Sequence, residues 1–132
     1  MIIDTSAIMA VLQDEPERRR FNEMIEAAPH RRLSAATLVE LSIVTEVRRG
    51  AEGMRELDLY LATAAIETLA VDGSQALIAR EAFRRFGKGR HRAALNFGDC
   101  FSYALAKSLD EPLLFKGDDF RLTDITPAAA PH

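Results

Sequence analysis

Acidic side chains occur at four separate points of the chain, and their chemistry suits a hard metal ion. They are Asp4 in "MIIDTSA", Glu40 in "LVELSIV", Asp99 in "NFGDCF", and Asp118 and Asp119 in "LLFKGDDF". Carboxylate oxygens are ligands that Mg²⁺ prefers. The three histidines lack metal-ligand spacing and there is a single cysteine, so the sequence disfavours zinc. Mg²⁺ held by carboxylates suits phosphodiester hydrolysis, because the metal lowers the pKa of bound water and stabilises charge on the departing oxygen.

The predicted elements bring these acids to one edge of a sheet. Short strands are predicted at 1–4, 31–34, 66–71 and 111–115, with an edge strand at 123–126. One helix is predicted from the end of the second strand to Gly50, and others at 5–13, 16–28, 52–65, 73–86 and 96–109. We expect Pro16 in the first turn of its helix. Alternating strands and helices predict an α/β fold with a parallel sheet covered on both faces, whose strands all end at the ligand-binding edge.

Two of the acids also have a structural interpretation. Asp4 can cap the helix that follows it, and Asp99 stands three positions after Asn96, where it can complete a cap. A helix start at the sheet edge also places Asp99 near Asp4, so one carboxylate can serve both purposes. We expect Thr5 and Ser6 to orient Asp4 by hydrogen bonding.

Glu40 falls on the apolar side of its predicted helix. At 100° per residue it lies within an arc formed by Ala36, Val39, Ile43, Val44 and Val47. An ionised carboxylate on a buried face is costly unless a cation or hydrogen bonds satisfy it. The sequence therefore predicts either a metal ligand or a carboxylate at the margin of the arc that pairs with an arginine.

Positive charge is concentrated in residues 82–98. This window carries +5 and no acid, whereas the rest of the chain carries −8. The asymmetry indicates either a solvated loop or a surface that binds phosphates. The candidate phosphate-binding residues are Lys88, Arg90, His91 and Arg92.

Length and composition fit a single domain over residues 1–126, with a frayed tail at 127–132. The single cysteine, Cys100, excludes an intramolecular disulfide and predicts a reducing compartment. No apolar run approaches the roughly 20 residues of a membrane span, and the N-terminus lacks the pattern of a signal peptide. We therefore expect a cytoplasmic protein with no membrane partner.

Four stretches together resemble the PIN-domain ribonucleases of the VapC toxin type. They are "MIIDTSA", "LVELSIV", "NFGDCFSYALAK" and "LLFKGDDF", and they follow the family's order and spacing over almost the whole chain. The resemblance implies an α/β/α sandwich with a central parallel sheet and an endoribonuclease that depends on Mg²⁺ or Mn²⁺. It also implies RNA as the ligand of the basic window, a cognate antitoxin encoded alongside, and a homodimer.

The same resemblance implies roles for the individual acids. Metal ligands are expected at Asp4 and Asp99, with Glu40 acting directly or through a water. The fourth acid is less sharply defined, because Phe-Lys-Gly follows the last core strand where many PIN domains have threonine, any residue, then aspartate. Asp118 or Asp119 can fill that place, and we favour Asp119.

Two other functions compete with a toxin. The first is a PIN nuclease with a housekeeping role in RNA processing, which would have the same fold and site. The second is a non-catalytic module that binds Mg²⁺ and signals to a partner, with Asp4 as phosphate acceptor and Lys116 as the accompanying lysine. Glu40 and Asp99 would have no role in the site of such a module.

Overall fold

A computed structural model describes residues 1–130, which contain four short strands and five α-helices. The strands are β1 (Ile2–Ile3), β2 (Arg32–Ser34), β3 (Glu67–Leu69) and β4 (Leu113–Leu114). The helices are α1 (Thr5–Leu12), α2 (Arg18–Ala27), α3 (Ala35–Thr63), α4 (Gly73–Phe86) and α5 (Phe97–Leu109), and a 3-10 helix spans Asp119–Leu122. In this part of the chain, no helix combines the length and hydropathy needed to cross a bilayer.

The four strands form one parallel sheet in the order β3-β2-β1-β4. The chain moves outward from β1 to β2 and β3, then returns to place β4 on the other side of β1. The strand order therefore switches direction between β1 and β4. Ligands of open parallel sheets bind at such a switch point, outside the carboxyl ends of the strands. The first residue beyond β1 at that point is Asp4.

Helices cover both faces of the sheet, so the predicted α/β/α sandwich is confirmed. Neighbouring residues of a strand point to opposite faces, and Ile2 and Ile3 enter different cores. Ile2 and Leu113 pack in the core formed with α4 and α5, whereas Ile3 and Leu114 pack in the core formed with α1, α2 and α3. All four side chains are fully buried.

The helix break predicted at Gly50 is present as a kink in α3. Gly50 has φ 61° and ψ −153°, so helical residues on either side of it form two segments with different directions. A positive φ favours glycine because it carries no Cβ. The first segment carries Glu40 toward the sheet edge.

Two predicted element boundaries are wrong. Pro16 precedes α2, because Arg18 N–H donates to the Glu15 carbonyl and Pro16 takes the second position of that turn, which suits its fixed φ. The segment 123–126 is not a strand. There the Thr123 hydroxyl donates to the Phe120 carbonyl and accepts from Ile125 N–H, which closes a turn after the 3-10 helix.

The chain beyond residue 126 was expected to be frayed, and residues 127–130 pack against the domain. Pro127 forms a single bridge to Leu113 at the edge of the sheet, and Ala129 is buried in the core beside α2. Arg121 donates to the Ala129 carbonyl at 2.7 Å. Residues 131 and 132 lie outside the described part of the chain.

Candidate active site

Asp4 stands between β1 and α1, where it caps the helix and is almost fully buried. Its Oδ2 accepts from the Ser6 N–H at 3.1 Å and from the Ser6 hydroxyl at 2.7 Å. Its Oδ1 accepts from the Ser102 hydroxyl at 2.6 Å. Ser6 Oγ also accepts from the Lys116 N–H at 3.0 Å, which ties the end of β4 to the site. The carboxylate is thus held directly by residues of α1 and α5, and the helix cap coexists with a position at the switch point.

Thr5 has a different partner from the one predicted. Its hydroxyl donates to Oε1 of Glu40 at 2.6 Å, so it orients Glu40 and not Asp4. The arginine partner considered for Glu40 is not among the salt bridges found in residues 1–130. Thr5 therefore connects α1 to the acid on α3.

Glu40 lies against α5 at Gly98, where any side chain would occupy the position of its carboxylate. A Cβ added at Gly98 would lie 1.8 Å from Oε2 of Glu40. The glycine therefore allows the Glu40 carboxylate to lie directly against the start of α5, one residue from Asp99.

Three residues of the apolar arc predicted to bury Glu40 face solvent, whereas Val44 packs against the core. Val39 and Ile43 are each 57% exposed and Val47 is 81% exposed. The buried side of this segment is formed by Thr37, Leu41 and Thr45, two of which are polar. The prediction of a buried apolar arc was wrong for Val39, Ile43 and Val47, because the packed side of this segment combines Leu41 with two threonines.

Asp99 completes a capping box at the start of α5. Its Oδ2 accepts from Asn96 N–H at 3.0 Å, and its own N–H donates to Asn96 Oδ1 at 2.9 Å. Burial raises the pKa of Asp99 to about 7, against the Asn96 hydrogen bond that lowers it, and the charges of Asp4, Glu40 and Asp119 raise it further. Without a cation, these acids repel one another near neutral pH.

The structure brings three of the predicted acids into one cavity and leaves two outside its lining. Asp4, Glu40 and Asp99 line a cavity of about 310 Å³ together with Thr5 and Ser6. Asp118 and Asp119 are exposed, and Asp118 lines a different depression beside α2. Asp119 lies near enough for its charge to raise the pKa of Asp99.

The donor atoms of this cavity fit a hard divalent cation. Its acidic ligands are carboxylates, they repel one another, and the missing Cβ of Gly98 brings Glu40 to the Asp99 end of the cavity. Within residues 1–130, no three histidine, cysteine or acidic side chains already stand close enough to coordinate one ion. Mg²⁺ is usually held by only one or two carboxylates with waters and substrate phosphates, so this spacing suits it.

The basic window forms the end of α4 and the loop that leads into α5. Lys88, Arg90 and Arg92 are exposed there. His91 is partly buried: its Nδ1 accepts from Ala93 N–H at 3.0 Å, and its ring stands edge-on to Phe86. The histidine thus stabilises the loop, while the three cations face solvent before the helix whose first turn carries Asp99.

Two hydroxyls that contact the site from within the core were not predicted from the sequence. Ser102 donates to Asp4, and Thr37 Oγ1 lies 3.2 Å from Ser102 Oγ. A detectable signal is present, since Ser102 follows Asp99 by three residues and Thr37 precedes Glu40 by three, which places each on the acid's own helix face. Arg48 and Lys116 also line the cavity and contribute positive charge at its rim.

Comparison with known proteins identifies the family of this chain. The PIN domain model matches residues 1–125. The chain belongs to the PIN domain family. A PIN relative in Mycobacterium tuberculosis, ribonuclease VapC30, is 54% identical over 131 residues, covering 99% of this chain and all of the relative.

Two solved structures share the fold at low sequence identity. The crystal structure of M. tuberculosis VapC20, a toxin that cleaves the sarcin-ricin loop, superposes with a TM-score of 0.76 at 15% identity and covers 95% of each chain. A toxin-antitoxin complex from Klebsiella pneumoniae gives a TM-score of 0.66 at 16% identity, with 90% of this chain and 88% of that chain covered. Each shows that this PIN domain has the architecture of known toxins.

Proposed function

We propose that this protein is an endoribonuclease toxin of the VapC type that depends on Mg²⁺ or Mn²⁺. The observation that carries the proposal is the shared cavity of Asp4, Glu40 and Asp99 at the switch point of the sheet. The relationship to VapC ribonucleases supplies RNA as the substrate class. An acid whose pKa is strongly raised in a cleft, as that of Asp99 is, is typical of catalytic sites.

In this proposal the chain's own residues hold the cation and the RNA. Asp4 and Asp99 would hold the metal, Glu40 would act directly or through a water, and Asp119 supports the site from its margin in preference to Asp118. When bound, the cation lowers the pKa of water and stabilises charge on the leaving oxygen. Ser6 fixes the Asp4 carboxylate and Thr5 fixes that of Glu40, so both acids are oriented before RNA arrives.

The RNA backbone would be held by the loop next to the acids. Lys88, Arg90 and Arg92 are exposed at the end of α4 and in the loop before α5, so phosphates bound there lie along the chain that leads to Asp99. His91 would contribute by shaping this loop, since its Nδ1 is already occupied by Ala93 N–H. Phosphate contacts of this kind give affinity without sequence preference.

The partners proposed are a small cognate antitoxin and a second copy of the chain, in the cytoplasm. Support for the antitoxin comes from the K. pneumoniae toxin-antitoxin complex, whose fold this chain shares. An antitoxin arginine fits the acidic cavity chemically, because its planar guanidinium can bind a carboxylate through two hydrogen bonds and exclude a metal.

The contacts of Lys116 weigh against a phosphate-accepting signalling module. Its ammonium pairs with Glu15, and it lies 3.4 Å from Glu17. The lysine is thus directed to the acids at the start of α2, whereas a signalling site requires it beside the acceptor Asp4.

An RNA-cleavage assay tests the proposal. The purified protein should cut single-stranded or looped RNA with Mg²⁺ or Mn²⁺ and stop when EDTA is added. Undiminished cleavage in excess chelator, with metal content shown to be negligible, contradicts it. A gene for a small inhibitory protein beside this one distinguishes the toxin from a housekeeping nuclease.

A further inference from the structure

A buried line of polar groups runs from α3 through α5 to Asp4. The Ser102 hydroxyl donates to Asp4 Oδ1 at 2.6 Å, and Thr37 Oγ1 lies 3.2 Å from Ser102 Oγ. Asp4 is 3% exposed and the two hydroxyl residues are 1% exposed each. Because solvent does not reach the two hydroxyl residues, water cannot readily replace a missing hydroxyl without rearrangement of the packing.

The direction of these hydrogen bonds follows from their proton count. An ionised carboxylate only accepts, so the single hydroxyl proton of Ser102 is committed to Asp4. Thr37 must then donate to Ser102. The line therefore runs from Thr37 to Ser102 to Asp4, and each member fixes the orientation of the next.

This line of hydrogen bonds sets the orientation of the Asp4 oxygen that can still accept a further ligand. Oδ2 already accepts two hydrogen bonds from Ser6, whereas Oδ1 accepts one, from Ser102. A carboxylate offers about two acceptor positions on each oxygen. The position that remains for a further ligand is therefore on Oδ1, and its direction depends on the Ser102 bond.

The same line joins the two helices that carry the other acids. Thr37 is one turn from Glu40 on α3, and Ser102 is one turn from Asp99 on α5. Their contact connects α3 to α5 directly beneath the cavity.

We propose that Ser102, supported by Thr37, is a positioning residue that aims Oδ1 of Asp4 at the divalent cation. The inference rests on the proposed function, since it specifies how one of the proposed metal ligands is set. Groups that orient metal ligands typically change metal affinity about 10–100-fold when removed.

Calorimetric titration of the metal-free protein with Mn²⁺, in the absence of RNA, tests this role. Ser102→Ala should weaken Mn²⁺ binding about 10–100-fold. Thr37→Val should weaken it less, and Thr37→Ser, which keeps the hydroxyl, should restore it. Ser108→Ala removes an exposed hydroxyl from the same helix and should leave the affinity unchanged. A melting curve in EDTA for each variant measures folding separately from metal binding.

The outcomes separate this inference from the proposed function. If the unaltered protein binds no Mn²⁺, the metal-dependent function fails and this inference fails with it. If that protein binds Mn²⁺ and Ser102→Ala binds it equally well, only the positioning role is overturned. A lower melting temperature without a change in affinity shows a purely structural hydroxyl and also overturns it. Should Ser102→Ala not fold, equal affinities of Thr37→Val and Thr37→Ser overturn the proposal.

Discussion

The Asp99 carboxylate accepts a hydrogen bond from Asn96 at the start of α5 and also lines the cavity with Asp4 and Glu40. The cap fixes where the carboxylate lies, whereas burial and, to a smaller extent, the neighbouring acids disfavour its negative charge. Capping alone would stabilise the ionised form next to the helix N-terminus, yet the pKa of Asp99 is raised to about 7, above all by burial. The site therefore has an unfavourable charge that a cation would relieve.

Metal-free stability should depend on pH through Asp99. Its pKa rises from 3.8 in the unfolded chain to about 7 in the folded one, so the folded state binds more protons between these values. The free energy of unfolding in EDTA should therefore fall as the pH rises from about 4 to about 7. In Asp99→Asn, whose amide oxygen can keep the cap, the free energy of unfolding should fall less steeply with pH. Denaturant titrations of both proteins at several pH values measure this, and parallel pH profiles contradict it.

At the scale of elements, the site depends on how closely α3 approaches α5. Glu40 lies against Gly98, where a Cβ would come within 1.8 Å of its carboxylate. Gly98→Ala should therefore displace Glu40 and lower the rate of RNA cleavage by about 100-fold, the cost of a misplacement near 1 Å. Gly73→Ala, at the start of α4 with open space around its Cβ position, is the matched control and should keep full activity.

A double variant shows whether Glu40 carries this effect. If Gly98 acts by allowing Glu40 to lie against α5, Gly98→Ala should lower the cleavage rate of the Glu40→Gln variant much less than that of the unaltered protein. Additive losses would mean that the glycine matters for another reason, and an active Gly98→Ala protein would remove the role altogether.

The loop between α4 and α5 should determine how RNA binding responds to salt. Neutralising Lys88, Arg90 and Arg92 together should weaken binding and flatten the dependence of log affinity on log salt, by about 0.7 for each single-strand phosphate that the protein no longer neutralises. Fluorescence anisotropy over a salt series measures the slope. Replacing three exposed arginines elsewhere with glutamine is the charge-matched control: Arg18, Arg19 and Arg55. If the salt dependence of RNA binding is equal in the two triple variants, the loop is a solvated surface and does not bind RNA phosphates.

Sequence patterns were most informative where local hydrogen bonds determine structure. The apolar run before Asp4 and the spacing of Asn96 and Asp99 predicted a strand end and a capping box, and both are present. Patterns failed where tertiary contacts decide. The exposed Val47 and the buried Thr37 depart from the expected faces of α3, and the buried Thr37 hydroxyl has a partner in Ser102 of α5.

Contacts between distant segments also lay beyond sequence reasoning. Thr5 was expected to bind its neighbour Asp4 and binds Glu40 instead, 35 residues away. The gap at Gly98 exists only because α3 packs there. A single sequence carries no direct record of such pairs, and the order of acids along the chain predicts the edge they share but not their spacing.

For the whole molecule, inhibition should come from a partner that covers the acidic cavity. We predict that the protein is a homodimer that co-purifies with the product of an adjacent small gene. Titrating that product should suppress RNA cleavage, and replacing its cavity-binding arginine with glutamine should weaken inhibition because the guanidinium no longer pairs with the acids. Light scattering and cleavage assays measure both properties. Association without inhibition, or no association, favours the housekeeping nuclease.

We propose that the carboxylates at the end of β1 and the start of α5 hold a divalent cation that the protein needs to cleave RNA. The most direct measurement is the rate of cleavage of one RNA by metal-stripped protein, before and after adding Mg²⁺ or Mn²⁺. We predict no RNA cleavage without metal and recovery of cleavage when metal is added back. Asp4→Asn and Asp99→Asn should each lower the cleavage rate by at least about 100-fold. Asp58→Asn, an exposed acid on α3, should behave as the unaltered protein. Full cleavage by folded Asp99→Asn would contradict the account.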